Sequence, residues 1–488
     1  MSAGAVPSTP PAPIGEPIRE SLRIAGKKIS RDRVIEIRHP YSGELAGTVP
    51  KAGIDDVQRA LKIARGFRST LTRHDRYKIL MRAGAIIAGR REELARLITL
   101  ESGLCLKDSQ YEVGRASDVL LFAANQALVD DSEVFSCDLT AHGKSRKVYT
   151  LKEPLLGAIT AITPFNHPLN QVIHKVAPAV ATNNRVVLKP SEKTPLTAFA
   201  LADILYESGL PPEMLSVLTG DPAEIADELL TSADVDLVTF TGGVPIGKYI
   251  AAKAVYKRQV LELGGNDPII VLEDADIEEA AALAASGSYK NSGQRCTAIK
   301  RMLVQESVAD RFVELLVEKT RAVRYGDPFD PAMDMGTVID EGSARRFEAV
   351  VNEAVAGGAE LLIGNVRRGA LFSPTVLDRV TPDMTVVRHE TFGPVSPVIR
   401  FKTVDEAIRI SNGTAYGLSS SLCTNRIDLI TRFVRELEVG SVNVREVPGY
   451  RLEMTPFGGI KDSGLGYKEG VLEAMKSFCN TKTYSLPW

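Results

Sequence analysis

No surplus charge of either sign marks this chain: 59 Lys and Arg stand against 61 Asp and Glu, a formal net charge of -2 over 488 residues. A nucleic-acid or anionic-membrane partner would need a basic surplus, so neither is expected, and any preference for an anion has to come from individual arginines. Cysteines are few and scattered. Cys105, Cys137, Cys296, Cys423 and Cys479 form no pair with metal-ligand spacing, and the six histidines form no HxxxH or CxxH cluster. No metal is expected, and the thiols should be free in a reducing compartment. No uninterrupted apolar stretch reaches the roughly 18 residues of a membrane span. The opening MSAGAVPSTPPAPIGEPIRE has neither the basic nor the apolar region of a secretory signal. The expectation is a cytoplasmic protein with residues 1–15 as a mobile tail.

What is present is the composition of an ordinary globular enzyme, 44% hydrophobic and 25% charged, with room for about three domain-sized units. Helical patterns occupy about 53–70 and 74–101, the second with Ile79, Leu80, Ala83 and Ile86 at helical spacing. Residues 131–156 read as extended. From Gly157 the chain alternates: GAITAIT, RVVLKPS, MLSVLTG, VDLVTFTG and RQVLELGG read as strands, and the segments between them as helices. That predicts βαβ crossovers and a parallel sheet covered on both faces. A second α/β series follows Glu262, through PIIVLE, DIEEAAALAASGSYKNSG, KRMLVQE, VADRFVELLVEKTRAV, FEAVVNEAVAGGAELLIG, VDEAIRISNG and GSVNV. Nucleotide ligands gather at the carboxyl ends of such strands, which singles out the loops TPFNHP, KPSEKTP, TGDPAE, FTGGVPIG and ELGGN.

Three residues there carry possible chemistry. Cys296, in the Gly-containing turn SGQRCTAIK, stands beside Arg295, whose guanidinium would lower the thiol pKa. Glu262 ends a strand, where a carboxylate facing a cleft can activate water. Asn166 can donate an amide N–H to a developing oxyanion. Each has a plainer reading: a lone cysteine is commonly inert packing, a strand-end glutamate a surface or capping residue, and an asparagine before a helix an N-cap.

The motifs FNHP, KPSE, FTGG-x3-G, ELGG, GQRC, ETFGP and PFGG-x-K-x-SG occur in this order along the chain. With them the chain, from about residue 20 to its end, closely resembles the aldehyde dehydrogenase superfamily. The resemblance implies an α/β fold of two doubly wound parallel-sheet lobes plus a small bridging β element that mediates oligomerisation, as a homodimer or homotetramer. An NAD-binding domain would span 16–130 and 151–262, a catalytic domain 263–474, and the bridging element 131–150 and 475–488. It further implies that Cys296 attacks the aldehyde and that the Asn166 amide and the Cys296 backbone N–H hold the oxyanion. Hydride leaves to the nicotinamide, and Glu262 activates the water that hydrolyses the resulting thioester.

The cofactor implied is NAD. Lys189, Ser191 and Glu192 of KPSE match the adenosine-ribose site, where a carboxylate accepts from a free 2′-hydroxyl and repels a 2′-phosphate. Phe240, Thr241, Gly242, Gly243 and Gly247 match the pyrophosphate loop, although Gly243 replaces the commoner serine. Backbone N–H groups at the helix start can still hold phosphate there. Glu390 and Phe392 match the nicotinamide-ribose side, and Thr163, Pro164, Phe165, Leu263 and Gly264 complete the cofactor wall. Phe165 stands where the family usually has Trp, and the GxGxxG fingerprint is absent, as the resemblance implies.

Arg115, His167, Arg295 and Arg451 fall where this family places its substrate tunnel. Converging cations suit a small anionic aldehyde, because guanidinium forks grip phosphonate or phosphate oxygens. Arg115 could instead be a helix-surface residue paired with Glu112 or Asp118. Within the superfamily, TPFNHPLNQVIHK, YKNSGQRCTA and VPGYRLEMTPFGGIKDSGLGYKEG are most similar to the phosphonoacetaldehyde dehydrogenases. Non-phosphorylating glyceraldehyde-3-phosphate dehydrogenases share GQRCTAIKR but usually use NADP and lack KPSE. Semialdehyde dehydrogenases come third. Glu262 speaks against a CoA-acylating enzyme, and a catalytically inactive homologue would be expected to have lost Cys296, Glu262 or Asn166.

Overall fold

The computed structural model describes residues 14–466 and 469–487. The expected tail lies outside these residues as far as position 13, and Ile14, counted with that tail, packs against the core of the first lobe.

The first lobe is built on a seven-stranded sheet in the order Arg258–Glu262, Val235–Thr241, Ala158–Ile162, Val186–Lys189, Leu215–Val217, Leu22–Ile24, Lys27–Ile29. The five strands of the predicted βαβ series pair in parallel, and an antiparallel hairpin completes the edge. Chain order reverses at Ala158–Ile162, so a crevice opens at the carboxyl ends of that strand and Val235–Thr241. Val186–Lys189 is buried throughout, as a strand covered on both faces must be.

Two buried helix starts are capped from a distance. Helix Asn170–Ala181 has no side-chain cap of its own. Its Leu169 and Asn170 N–H groups donate to Glu112 Oε1 at 2.8 and 2.9 Å. Helix Leu196–Glu207 likewise donates from Leu196 and Thr197 to Glu101. Buried N–H groups left without acceptors are costly, so these carboxylates lock the helices onto Arg91–Ser102 and the 22-residue helix Leu106–Ala127.

The second lobe has its own seven-stranded sheet: Glu360–Ile363, Thr375–Asp378, Val395–Phe401, Arg301–Gln305, Pro268–Val271, Ser419–Cys423, Ser441–Val444. Only the outermost strand, Glu360–Ile363, is antiparallel. The fold class read from the sequence is the one observed.

Boundaries differ in three places. The helix expected over 74–101 is two, Arg73–Gly89 and Arg91–Ser102, broken where Arg90 leaves helical geometry at φ -105°, ψ 22°. The bridging sheet is antiparallel, Val134–Ser136 with Arg146–Pro154 with Cys479–Pro487, and so runs beyond residue 150. Helix Val471–Ser477 crosses the boundary drawn at 474. Its Val471 and Ala474, with Phe478, are buried in the first lobe's core, so this segment belongs to neither the catalytic lobe nor the bridge. Among the described residues no helix is long and apolar enough to cross a membrane.

Candidate active site

A cleft of about 680 Å³ opens at the carboxyl ends of the first sheet and reaches Cys296 of the second lobe. Its wall holds Thr163, Pro164, Phe165, Asn166, Lys189, Ser191, Glu192, Phe240, Thr241, Gly242, Gly243, Glu262, Leu263, Gly264, Glu390 and Phe392, which the sequence had assigned to cofactor or catalysis. Gly247 is not on that wall. A Cβ there would come within 2.3 Å of Leu263 Cδ2, so this glycine lets helix Val244–Lys253 close onto the loop after Glu262. Leu230, Ile246, Tyr249 and Ile250 add an apolar end to the cleft that the sequence reading missed. The loop TGDPAE, singled out without a named residue, supplies Pro222 and Ala223 to it.

The cleft fits a dinucleotide. Helix Val244–Lys253 starts at Gly243 with no side-chain cap, and no atom but Pro245 Cδ, at 3.9 Å, stands near where a Gly243 Cβ would be. Phosphate oxygens can therefore approach the helix start closely. Glu192 Oε2 lies 3.1 Å from Lys189 Nζ. Burial opposes its ionisation, but Lys189 outweighs it and holds the carboxyl below its ordinary range. At the other end Phe165 and Phe392 meet edge-on, ring centroids 5.9 Å apart.

Cys296 follows a strained turn. Asn291, Ser292 and Gly293 take positive φ of 54°, 53° and 72° in succession, a conformation costing roughly 1–2 kcal/mol per non-glycine residue. Buried partners hold it: Asn291 N donates to Asp108 Oδ2 at 2.8 Å, and Asn291 Nδ2 to the Asn166 carbonyl at 3.3 Å. Gly293 is obligatory, since a Cβ would fall 2.3 Å from the Gly393 oxygen. Asn166, on the cleft wall, donates one amide hydrogen to the Gln294 carbonyl at 2.8 Å, which orients the amide and leaves its second hydrogen for another acceptor.

The expected lowering of the thiol pKa by Arg295 is not what the site does. Burial dominates and pushes Cys296 up to about 11, and the strongest cations opposing it are Lys300 and Arg451. The Arg295 head is turned toward the Gly287 carbonyl, 2.8 Å from Nη2. Lys300, unremarked in the sequence, donates to the Cys296 carbonyl at 2.6 Å and pairs with Glu390 at 3.2 Å. Behind the cleft, Lys175 and Glu469 form a buried pair at 2.6 Å, with Lys175 Nζ 3.0 Å from Thr239 Oγ1.

The expected cationic cluster is partly assembled. Burial, with Arg115 nearby, depresses the charge of Arg295, and both arginines work with burial against the charge of Lys290. His167 does not belong among the cations. Burial, with the repulsion of Arg115 and Arg295, pulls its pKa down despite Glu112 at 3.4 Å, so the ring is neutral. Lys290 takes its place, with Nζ 3.1 Å from the centroid of the Tyr111 ring. Arg115 pairs with neither Glu112 nor Asp118 but with Glu453, which the sequence reading passed over. Arg451 stacks on Phe457 at 3.8 Å. Among the described residues, Arg295 Nε and Arg451 Nη1 are buried with no hydrogen-bond partner. All five cysteines are free, and no group of acidic, His or Cys side chains among the described residues could hold a metal.

A thiol, a strand-end carboxylate and an amide donor share one dinucleotide-sized cleft, and residues 27–484 match the aldehyde dehydrogenase family. The chain belongs to that family and is an oxidoreductase working with a nicotinamide dinucleotide. It is 39% identical over 456 residues to the 3-sulfolactaldehyde dehydrogenase of Priestia megaterium, covering 93% of this chain and 95% of that one. It is 37% identical over 467 residues to the lactaldehyde dehydrogenase of Methanocaldococcus jannaschii, covering 94% and 98%. The crystal structure of the glyceraldehyde-3-phosphate dehydrogenase GapN from M. jannaschii, complexed with NADP, superposes with a TM-score of 0.90 at 36% identity, covering 94% of this chain and 100% of that one. None of these three is a phosphonoacetaldehyde dehydrogenase, the narrower group expected from the sequence.

Proposed function

We propose that this aldehyde dehydrogenase oxidises a short aldehyde bearing a terminal anion, phosphonoacetaldehyde foremost, to the carboxylate with NAD. The observation that carries this is the pair of unsatisfied buried guanidinium groups beside Cys296: Arg295 Nε and Arg451 Nη1 lack partners, with Arg115 and Lys290 adjoining. Buried donors without acceptors are costly unless a ligand satisfies them, and a phosphonate offers oxygens in the right number. Sulfonate is the second reading, supported by the sulfolactaldehyde-oxidising relative.

In this mechanism the buried Cys296 thiol passes its proton to solvent water in the open cleft as its sulfur bonds to the carbonyl carbon, forming a thiohemiacetal oxyanion. The second Asn166 amide hydrogen and the Cys296 N–H hold the oxyanion. Lys189, Ser191, Glu192, Gly243, Glu390 and Phe392 would hold the dinucleotide, whose nicotinamide accepts hydride when bound. Glu262 then takes a proton from the water that cleaves the Cys296 thioester, and the thiol is restored. Glu192 supports NAD over NADP, because its carboxylate repels a 2′-phosphate.

The bridging sheet supports a homodimer or homotetramer, for it leaves Val134 56%, Phe135 50% and Tyr484 41% exposed, an apolar face suited to a second copy. Free thiols, Cys296 included, support a reducing, cytoplasmic setting.

The test is kcat/KM for phosphonoacetaldehyde, 3-sulfolactaldehyde, succinate semialdehyde and propanal, with NAD and with NADP, for wild type and Arg115→Ala. Loss of one charge-assisted contact should cost on the order of ten- to a hundredfold on the anionic substrate and little on propanal. A wild type that prefers propanal overturns the reading.

A further inference from the structure

Glu453 stands in the segment VPGYRLEMTPFGGIKDSGLGYKEG, where the sequence alone assigns it no role. It lies in the segment between strands Ser441–Val444 and Ile460–Lys461, and its side chain is 5% exposed. Oε1 accepts from Nε of Arg115, 338 positions earlier in the chain. Oε2 accepts from Nε2 of His174 at 2.7 Å and lies 3.8 Å from Nε of Arg451. Burial works against its ionisation, but His174, Arg115 and Arg451 outweigh burial and hold the carboxyl well below the usual carboxylate range.

What the carboxylate grips matters as much as its charge. It holds Arg115 by Nε, and among the described residues no hydrogen bond engages either Nη of that guanidinium. It faces Arg451 by Nε too, while Nη1 of Arg451 is buried without a partner. The Arg115 fork is thus held at its stem by Glu453, the Arg451 fork lies stacked on Phe457 with Glu453 beyond hydrogen-bond reach, and both are open at their tips. An arginine fork binds an oxyanion bidentately only when its plane is set, and a long side chain left free must lose that freedom on binding.

We propose that Glu453 is a positioning residue for anion recognition, holding the Arg115 fork toward the substrate's terminal anion and steadying Arg451 beside it by charge alone. This rests on the anionic-substrate reading above. The opposite role is that of a neutraliser, a carboxylate that merely offsets buried positive charge. The two predict opposite signs: removing a neutraliser strengthens anion binding, whereas removing a positioner weakens it.

The experiment uses the full-length enzyme with NAD, and methylphosphonate as a competitive inhibitor of propanal oxidation. Wild type, Glu453→Gln, Glu453→Asp, Arg115→Ala and Arg115→Ala/Glu453→Gln are compared. Glu453→Gln should raise the methylphosphonate inhibition constant and the KM for phosphonoacetaldehyde about tenfold, with kcat and NADH affinity within about twofold. The double variant should be little worse than Arg115→Ala alone, because both changes act through one fork. Glu453→Asp keeps the charge but shortens the reach, so it should weaken binding as well. It also provides the test if Glu453→Gln fails to fold.

A lower inhibition constant in Glu453→Gln, a wild-type-like Glu453→Asp, or fully additive losses overturns the positioning role while leaving the substrate reading intact. A wild type indifferent to methylphosphonate and unable to favour phosphonoacetaldehyde over propanal overturns both.

Discussion

Lys300 donates from Nζ to the carbonyl oxygen of Cys296 at 2.6 Å, placing an ammonium directly against the backbone of the proposed nucleophile. Burial pushes the Cys296 thiol up to about 11, and Lys300 is the foremost cation working against that rise. Before substrate enters, the thiol is therefore protonated near neutrality. Alkylation needs the thiolate, so inactivation by iodoacetamide should accelerate about tenfold per pH unit between pH 7 and 9. Lys300→Met should slow it at every pH in that range. Pseudo-first-order inactivation rates check both statements, and a rate already level at pH 7 contradicts the first.

Glu262 stands at the end of strand Arg258–Glu262 on the cleft wall, on the lobe facing Cys296. Glu262→Gln should retain a pre-steady-state burst of NADH while steady turnover falls by about 10²–10⁴, the usual contribution of a general base. Stopped-flow absorbance at high enzyme concentration separates the phases. Loss of the burst together with turnover would move Glu262 to an earlier step.

Glu192 and Lys189 form a pair at 3.1 Å beside the expected adenosine ribose. Glu192→Gln removes the repulsion toward a 2′-phosphate and frees Lys189 to meet it. The NADP-to-NAD ratio of kcat/KM should rise by about tenfold, equivalent to about 1.4 kcal/mol. An unchanged ratio places the discrimination elsewhere on the cleft.

Lys290 titrates within reach of ordinary assays, since burial, with Arg295 and Arg115 nearby, pulls its amine down to about 8. A lowered amine pKa means charge below that value and none above it. KM for an anionic aldehyde should therefore rise as pH passes 8, while KM for propanal does not follow. In Lys290→Met the anionic KM should start high and lose that pH dependence. A rise shared by both substrates would assign the effect to another group.

The sequence made the first lobe legible because its strands are β-branched runs buried on both faces and its helices lie between turn-forming loops. Strand Ser419–Cys423 escaped notice because SSSLC has no apolar alternation. Its serines are nonetheless buried, with Ser419 satisfied by Asp267 and the Pro448 carbonyl. Much of the cofactor wall follows strand ends of the first lobe, where position follows from topology, but Glu390 and Phe392, which precede strand Val395–Phe401, were legible only through the family's motifs. The substrate end could not be read in full. His167 looked cationic in sequence, yet its charge depends on burial, and Lys290 earned no attention until folding set it against Tyr111. Glu453 stood in a quoted segment, but a pairing across 338 positions has no local signature.

Helix Val471–Ser477 and Phe478 fill the core of a lobe whose other members lie almost wholly before residue 261, and the Phe478 carbonyl accepts from Asn184 Nδ2 at 2.8 Å. A ribosome synthesising this chain therefore releases the first lobe unfinished. Some two hundred residues of the second lobe must be made before the helix that seals the first arrives, and about 10–40 seconds of synthesis at typical rates separate the two. During that interval the faces of helices Leu106–Ala127 and Asn170–Ala181 that await it stand open to solvent or to a chaperone. A nascent chain arrested before residue 471 should accordingly be more readily cut by protease within the first lobe than one carried to residue 487.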